Sequence, residues 1–369
     1  MTQSLTELDR RFMAACIRYS RRHLGRTGTN PSVGTLIVAD EGNGPVIVGR
    51  GVTALGGRPH AEPVALAEAG ERARGATAYV TLEPCAHHGR TPPCANALVA
   101  AGIARVVAAA TDPDDRVSGR GYEILRAGGI DVLPGVLAVE ARSVLSSYLT
   151  RSSKKRAEVT LKLAVSADGM IGRAAAGQVP ITGDAARAQS HLLRAEHDAI
   201  LVGIGTALED NPELTCRLPG LEQRSPMRIV LDRMARLPIA SRLVRSVSSA
   251  PLAVATVEPE SEAAQVLEGA GARLIACEEH EGRVALPELL EDIAALGLSS
   301  VLVEGGAAVA RSFLDEGLAD RIVLFESDVV VGANGIAAPF TRATLPADYE
   351  PGGEWVFGAD RCYEFKRRG

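Results

Sequence analysis

His60-Ala61-Glu62, then Pro84-Cys85 and Cys94, gather one imidazole, one carboxylate and two thiols whose types divide the work of a hydrolytic deaminase. His60, Cys85 and Cys94 would give zinc three protein ligands and leave the fourth tetrahedral position for water, as a catalytic site does. Zinc lowers the pKa of such a water to about 7, so hydroxide is at hand at neutral pH. Glu62, two residues from the histidine, would be the proton shuttle as hydroxide attacks an amidine-like ring carbon and ammonia leaves. A closed structural site would instead need a fourth ligand, for which His87 and His88 lie between the cysteines, and it would have no use for Glu62. The cysteines are separated by Ala86 to Pro93, a wider gap than the Pro-Cys-x-x-Cys of nucleoside and nucleic-acid deaminases.

These residues must be carried by elements, and the pattern supplies them. Leu5 to Leu24 reads as an amphipathic helix with Leu5, Leu8, Phe12, Ala15, Cys16 and Tyr19 at helical spacing on its apolar face. Val33–Ala39 and Val46–Gly51 read as strands, 60–73 as a helix opened by the motif, and Thr77–Leu82 as the strand running into Pro84-Cys85. Helices over 95–101, 121–127 and 139–149 alternate with strands over 105–110 and 130–133. That alternation predicts a layered α/β domain. Thr150 to Arg156 is polar and basic and reads as a linker, giving domains over 1–152 and 157–369.

A second α/β pattern follows. Strands are expected at 159–165, 199–202, 228–231, 252–256, 273–276, 301–304 and 321–325, and closing strands at 355–357 and 362–365. Helices are expected at 185–195, 286–296 and 307–316. Gly203-Ile204-Gly205-Thr206 and Glu304-Gly305-Gly306 each follow a strand, where backbone can approach a phosphate. Plain tight turns would look the same, and the six-residue glycine fingerprint of the Rossmann fold is absent. Arg194 and Arg217 are candidate phosphate forks, since guanidinium matches phosphate bidentately; surface ion pairs are the alternative. Lys162 and Asp168 lie on and just after the first strand of this half, and Asp168-Gly169 also fits a turn.

Composition limits the partners. The chain has 369 residues, 46% hydrophobic and 23% charged, with a formal net charge of −5 and only 4% aromatics. That is too many residues for one ordinary domain. The low aromatic content and negative charge weigh against the alternative of a nucleic-acid-editing deaminase with an accessory domain, which would want a basic, aromatic-bearing channel. No apolar run reaches the length of a membrane span, and Met1 to Arg22 lacks the apolar core of a signal peptide. Two of six cysteines belong to the zinc motif and the rest are scattered, as expected of a cytoplasmic protein. A degenerate ligand sensor is a further alternative, countered in the first half by the intact zinc set with Glu62 and less firmly in the second.

The chain resembles the bifunctional riboflavin-biosynthesis deaminase/reductases of bacteria over essentially its whole length. The resemblance rests on Asn30-Pro31-Ser32-Val33-Gly34, His60-Ala61-Glu62, the run from Tyr79 to Cys94, Leu161 to Gly169, Asp210 to Arg217 and Val303-Glu304-Gly305-Gly306. It implies a cytidine-deaminase-like three-layer domain followed by a dihydrofolate-reductase-like α/β domain. It implies deamination of a phosphoribosylamino-diaminopyrimidinone, 2,5-diamino-6-(5-phosphoribosylamino)pyrimidin-4(3H)-one, then NADPH-dependent reduction of its ribosyl group to ribityl. By resemblance His60, Cys85 and Cys94 are zinc ligands, Glu62 is catalytic, and Asn30 helps to hold the pyrimidine. Ala164, Thr206, Asp210 and Gly306 match cofactor-contacting positions. Lys162, Arg194, Leu214, Arg217 and Glu304 match substrate-contacting ones, with the two arginines on the phosphate. The resemblance also implies a homodimer through the reductase domain. Pro180 stands where the family often has Trp, Gln178 where it has Ser, and Ser327-Asp328-Val329 replaces Ala-Pro-Lys.

Overall fold

The protein's structure, a computed structural model, describes residues 5–87, 92–113 and 118–368. The chain divides into two units, Met1–Lys155 and Arg156–Gly369. His88, considered above as a fourth ligand, lies outside the described residues.

The first unit runs α1 (Glu7–Ser20), β1 (Gly34–Asp40), β2 (Pro45–Val52), α2 (Ala61–Ala69), β3 (Thr77–Leu82), α3 (Cys94–Ala100), β4 (Arg105–Ala110), α4 (Arg120–Ala127), β5 (Asp131–Leu133), α5 (Ala138–Val144) and α6 (Ser146–Lys154). Its sheet has the order β2-β1-β3-β4-β5. β1 is antiparallel to both neighbours, while β3, β4 and β5 are parallel and joined by helical crossovers. α1 and α5 pack together on one face; α2, α3 and α4 make the other layer.

Two glycines explain how closely α2 lies on β2. A Cβ on Gly51 would sit 1.9 Å from the Ala61 carbonyl oxygen, and one on Gly49 would sit 2.2 Å from that of Ala65. Ala61, Ala65 and Ala69 recur at helical spacing, so the smallest side chains of α2 meet a strand stripped of its own. This close seating fixes the start of α2, where His60 is the cap residue.

α1 is opened by a capping box in which Thr6 Oγ1 accepts the Asp9 N–H at 3.1 Å and Asp9 accepts the Thr6 N–H at 2.9 Å. The buried Asp9 also receives Arg105 at 2.8 Å and the Tyr79 hydroxyl at 2.9 Å. Leu5 and Leu8, assigned above to the apolar face, are 39% and 44% exposed; the buried side is set by Met13, Cys16 and Ile17. The helix expected over 139–149 is two helices, broken at Leu145. The polar stretch read as a linker is helical as far as Lys154.

The second unit contains β6 (Glu158–Val165), β7 (Met170–Arg173), α7 (Asp184–Glu196), β8 (Ala199–Gly203), α8 (Ile204–Asp210), β9 (Met227–Leu231), α9 (Arg242–Arg245), β10 (Leu252–Thr256), α10 (Glu262–Gly269), β11 (Arg273–Ala276), the short pair β12 (Glu279–His280) and β13 (Arg283–Val284), α11 (Leu286–Ala295), β14 (Ser300–Glu304), α12 (Ala307–Asp315), β15 (Arg321–Glu326), β16 (Gly335–Ala337), β17 (Tyr349–Phe357) and β18 (Asp360–Arg367). Nine strands form one sheet in the order β11-β10-β9-β8-β14-β6-β15-β18-β17. It is parallel from β11 to β15 and closed by antiparallel β18 and β17. The near-continuous apolar runs of β8, β10 and β14 fit strands covered on both faces.

His197 ties α7 to the central strand. Its Nδ1 donates to the Leu193 carbonyl at 2.7 Å and its Nε2 accepts the Thr160 hydroxyl at 3.0 Å, so the ring is a satisfied neutral tautomer. Burial, reinforced by Arg321, pushes its pKa down to about 4.

Candidate active sites

In the first unit the three ligand candidates converge. His60 Nδ1 lies 3.4 Å from Cys94 Sγ and 3.7 Å from Cys85 Sγ, and all three donor atoms lie within 4.8 Å of one another. Zinc–sulfur bonds of about 2.3 Å and zinc–nitrogen bonds of about 2.0–2.1 Å, at the tetrahedral angle, separate nitrogen from sulfur by roughly 3.5 Å. The donor set therefore fits zinc in both chemistry and spacing.

Each ligand is placed by local structure. His60 caps α2; Cys94 opens α3, and its backbone N–H donates to Cys85 Sγ at 3.3 Å. Cys85 sits in the connection after β3, which Glu83 braces by accepting the Gly119 and Gly121 N–H groups at 3.1 and 3.0 Å. A Cβ on Gly121 would meet the Pro84 carbonyl at 2.1 Å, so only glycine lets the start of α4 pack there. The Cys94 thiol beside it, together with His60, brings the Cys85 pKa down to about 4, which favours thiolate. His60 is itself shifted upward, chiefly by Cys85. Glu62 is 4% exposed in the first turn of α2. Burial, with the nearby Cys85, pushes its carboxyl up to about 7. Asn30 ends a turn in which the Thr27 hydroxyl donates to the Asn30 carbonyl at 2.7 Å, pressed against Gly57 of the segment leading into His60.

In the second unit the candidates gather at the carboxyl ends of the parallel strands, where open α/β sheets take ligands. β8 and β14 are neighbours, so their exits meet. A Cβ on Gly305 would be 3.2 Å from Thr206 Cγ2, and one on Gly306 would be 3.0 Å from Thr206 Oγ1. The exit of β8 is not the plain turn allowed above: α8 starts there, with Thr206 in it and Asp210 at its end. Gly306 caps α12, and Ala164 lies near the end of β6.

Lys162 and Glu304 are in register on β6 and β14 and so share a face. Arg194, reaching from α7, forms a fork on Glu304 with bonds of 2.7 and 2.8 Å, and donates to the Thr215 carbonyl at 3.1 Å. Burial pushes Glu304 up, but Arg194, then Lys162 and His191, outweigh it and hold the carboxyl at about 2. Lys162 is shifted down by burial, with Glu304 opposing. These bonds use three of the five guanidinium N–H groups of Arg194. Arg217 differs: its side chain is 52% exposed and its contact with Glu213 is a long 3.9 Å. Leu214 is buried with φ 57°.

Asp168 belongs to a turn whose carboxylate accepts the Ser166 hydroxyl and the N–H groups of Val331 and Gly332, fixing the loop after β15. Gln178 and Pro180 are exposed between β7 and α7. Ser327 and Asp328 line a cavity of about 560 Å³ with Ser166, Glu326 and Arg361, and nothing in the structure explains their departure from the family's residues. Sequence reading does not single out His191, Ser225 or Arg228, which hold the 213–217 segment.

Fold and sites together define a zinc-dependent deaminase joined to a reductase. The family described as cytidine and deoxycytidylate deaminase zinc-binding region matches residues 6–110, and the RibD C-terminal domain family matches residues 157–347. Riboflavin biosynthesis protein RibD of Aquifex aeolicus is 38% identical over 328 residues, 89% of each chain. The protein of the same name from Escherichia coli is 38% identical over 88% of this chain and 89% of its own. A solved diaminohydroxyphosphoribosylaminopyrimidine deaminase/5-amino-6-(5-phosphoribosylamino)uracil reductase from Thermotoga maritima superposes with a TM-score of 0.85 at 33% identity, over 98% of this chain and 99% of that one. The chain belongs to the RibD family: it is a bifunctional enzyme of riboflavin biosynthesis, a hydrolase and an oxidoreductase that uses zinc and NADPH.

Proposed function

We propose that the first unit deaminates 2,5-diamino-6-(5-phosphoribosylamino)pyrimidin-4(3H)-one and the second reduces the ribosyl group of the deaminated product. The observation that carries the reading is His60 Nδ1 at 3.4 and 3.7 Å from the two cysteine sulfurs, with a buried carboxylate two residues away. His60, Cys85 and Cys94 would hold zinc, which when bound supplies the Lewis acidity that makes hydroxide available at neutral pH. Glu62 takes the proton of the attacking water and delivers it to the amino group, which leaves as ammonia. Asn30, on its pinned turn, orients the pyrimidine.

In the second unit NADPH, when bound, would supply the hydride. Thr206, Gly306, Ala164 and Asp210 are assigned to the cofactor by their match to the family's cofactor-contacting positions, with Thr206 packed closely on Gly305 and Gly306 where β8 and β14 end. Lys162, Leu214 and Glu304 are assigned to the substrate, with Arg217 and Arg194 on its phosphate and Arg194 held in place by its fork on Glu304. We infer a homodimer through this unit, supported by the edge strand β17 with Trp355 and Val356 47% and 65% exposed. Among the described residues no helix is long and apolar enough to cross a membrane. A cytoplasmic enzyme, with no nucleic-acid partner, is the reading that its scattered cysteines and net charge of −5 support. The test supplies the diaminopyrimidinone and NADPH to the full chain and follows ammonia and the loss of NADPH absorbance. One ammonia and one NADPH per substrate are expected. Ammonia release on cytidine or deoxycytidylate but not on this substrate would reject the assignment.

A further inference from the structure

Residues 213–217 form no helix or strand, yet side chains satisfy their backbone almost residue by residue. Arg228, fully buried on β9, donates to the Glu213 carbonyl at 3.3 Å. Arg194 donates to the Thr215 carbonyl at 3.1 Å, and Ser225 Oγ accepts the Cys216 N–H at 3.1 Å. His191 Nδ1 accepts the Arg217 N–H at 3.3 Å. His191 and Arg194 stand three residues apart on α7, so one helix face grips the segment at two points.

We propose that His191 is a positioning residue of the reductase: by accepting the Arg217 N–H it sets where that guanidinium stands, and so the affinity for the anionic group of the substrate. The inference rests on the assignment of Arg217 to the substrate phosphate. Because Nδ1 accepts, the neutral ring carries its proton on Nε2. Burial, then the adjacent Arg194 and Arg217, keep the pKa down at about 4, so the acceptor is present at neutral pH. A fixed backbone matters here because the Arg217 side chain is half exposed and its contact with the Glu213 carboxylate is a long 3.9 Å. Lost order at its root is paid at binding.

The test measures reductase kcat and KM for the phosphorylated substrate and for the same compound without its phosphate. His191→Leu, His191→Asn, His191→Gln and Arg217→Ala are compared with the unaltered chain. Asn places a carbonyl oxygen near the Nδ1 position; Gln places it beyond. A neutral hydrogen bond contributes about 0.5–1.5 kcal/mol, so His191→Leu should raise KM for the phosphorylated substrate about two- to tenfold. Its kcat, its NADPH KM and its KM for the dephosphorylated compound should stay unchanged, and His191→Asn should recover most of the loss. An equal penalty on both substrates, or a fall in kcat alone, would overturn the proposal. Should the Leu variant not fold, the amide pair decides: a phosphate-dependent penalty in Gln but not Asn supports the role, and equal values refute it. If Arg217→Ala itself leaves the preference for the phosphorylated substrate intact, the underlying assignment fails. If it abolishes the preference while His191→Leu changes nothing, only the role of His191 fails.

Discussion

Glu62 and His60 sit two residues apart, yet their tasks differ, and a conservative change separates them. Glu62→Gln keeps the shape and removes the exchangeable proton. Zinc content should be unchanged while deamination falls by roughly 10²–10⁴, the usual worth of general acid–base catalysis. Zinc loss in that variant would make Glu62 a ligand. The two arginines separate in the same way. Arg217 is half exposed, so Arg217→Lys should act on substrate KM with little change in melting temperature. Arg194 is 12% exposed and forked on Glu304, so Arg194→Met strips a buried carboxylate of its two-bond partner and leaves the charge of Lys162 as partial compensation. That costs about 3–5 kcal/mol, roughly 6–20 °C in the melting of the second unit, before any effect on binding. Equal melting of both arginine variants would contradict the fork. The zinc set was legible in the sequence because each residue's chemistry is local to a short motif. The fork was not, because its partners lie 110 positions apart and meet only through the register of β14 on β6 and the seating of α7.

Elements hold these residues by close approach rather than by bulk. Gly51 admits α2 to the backbone of β2, with Ala61 opposite. Gly51→Val should therefore push the start of α2 outward, weaken zinc binding by at least tenfold in a chelator competition, and leave NADPH oxidation intact; unchanged zinc affinity would show that α2 does not need that contact. His197 gives the second unit a pH signature. Its pKa of about 4 lies below the unfolded value near 6.5, so its contribution is complete above pH 6.5 and is lost as pH falls toward 4. The contribution is about 3 kcal/mol. Urea midpoints should fall between pH 7 and 4.5 more steeply in the unaltered chain than in His197→Gln, and parallel slopes would show that the ring titrates normally. Strands were the most legible elements, Thr77–Leu82 and Leu252–Thr256 to the residue, since covered strands are written in runs of apolar and β-branched residues. Short helices were less so. α8 hides behind Gly203 and Gly205, and α10 is marked mainly by its Ser261 cap. The 139–149 pattern does not reveal its break at Leu145, where backbone geometry and not hydrophobicity changes.

At the scale of the molecule, two chemistries occupy two units, Met1–Lys155 and Arg156–Gly369, each with its own sheet and buried core. The zinc donors all belong to the first, and the Lys162–Glu304–Arg194 cluster belongs to the second. Each chemistry should therefore survive loss of the other. Cys85→Ser replaces one soft thiolate ligand, leaving two protein donors for a metal that structural and catalytic sites alike hold with at least three. The decisive measurement is zinc content, ammonia release from the diaminopyrimidinone, and NADPH oxidation with the deaminated intermediate, all on purified full-length Cys85→Ser. Loss of zinc and of ammonia release is expected, with NADPH oxidation close to that of the unaltered chain. Full loss of NADPH oxidation in a variant that remains folded would refute the independence of the two sites.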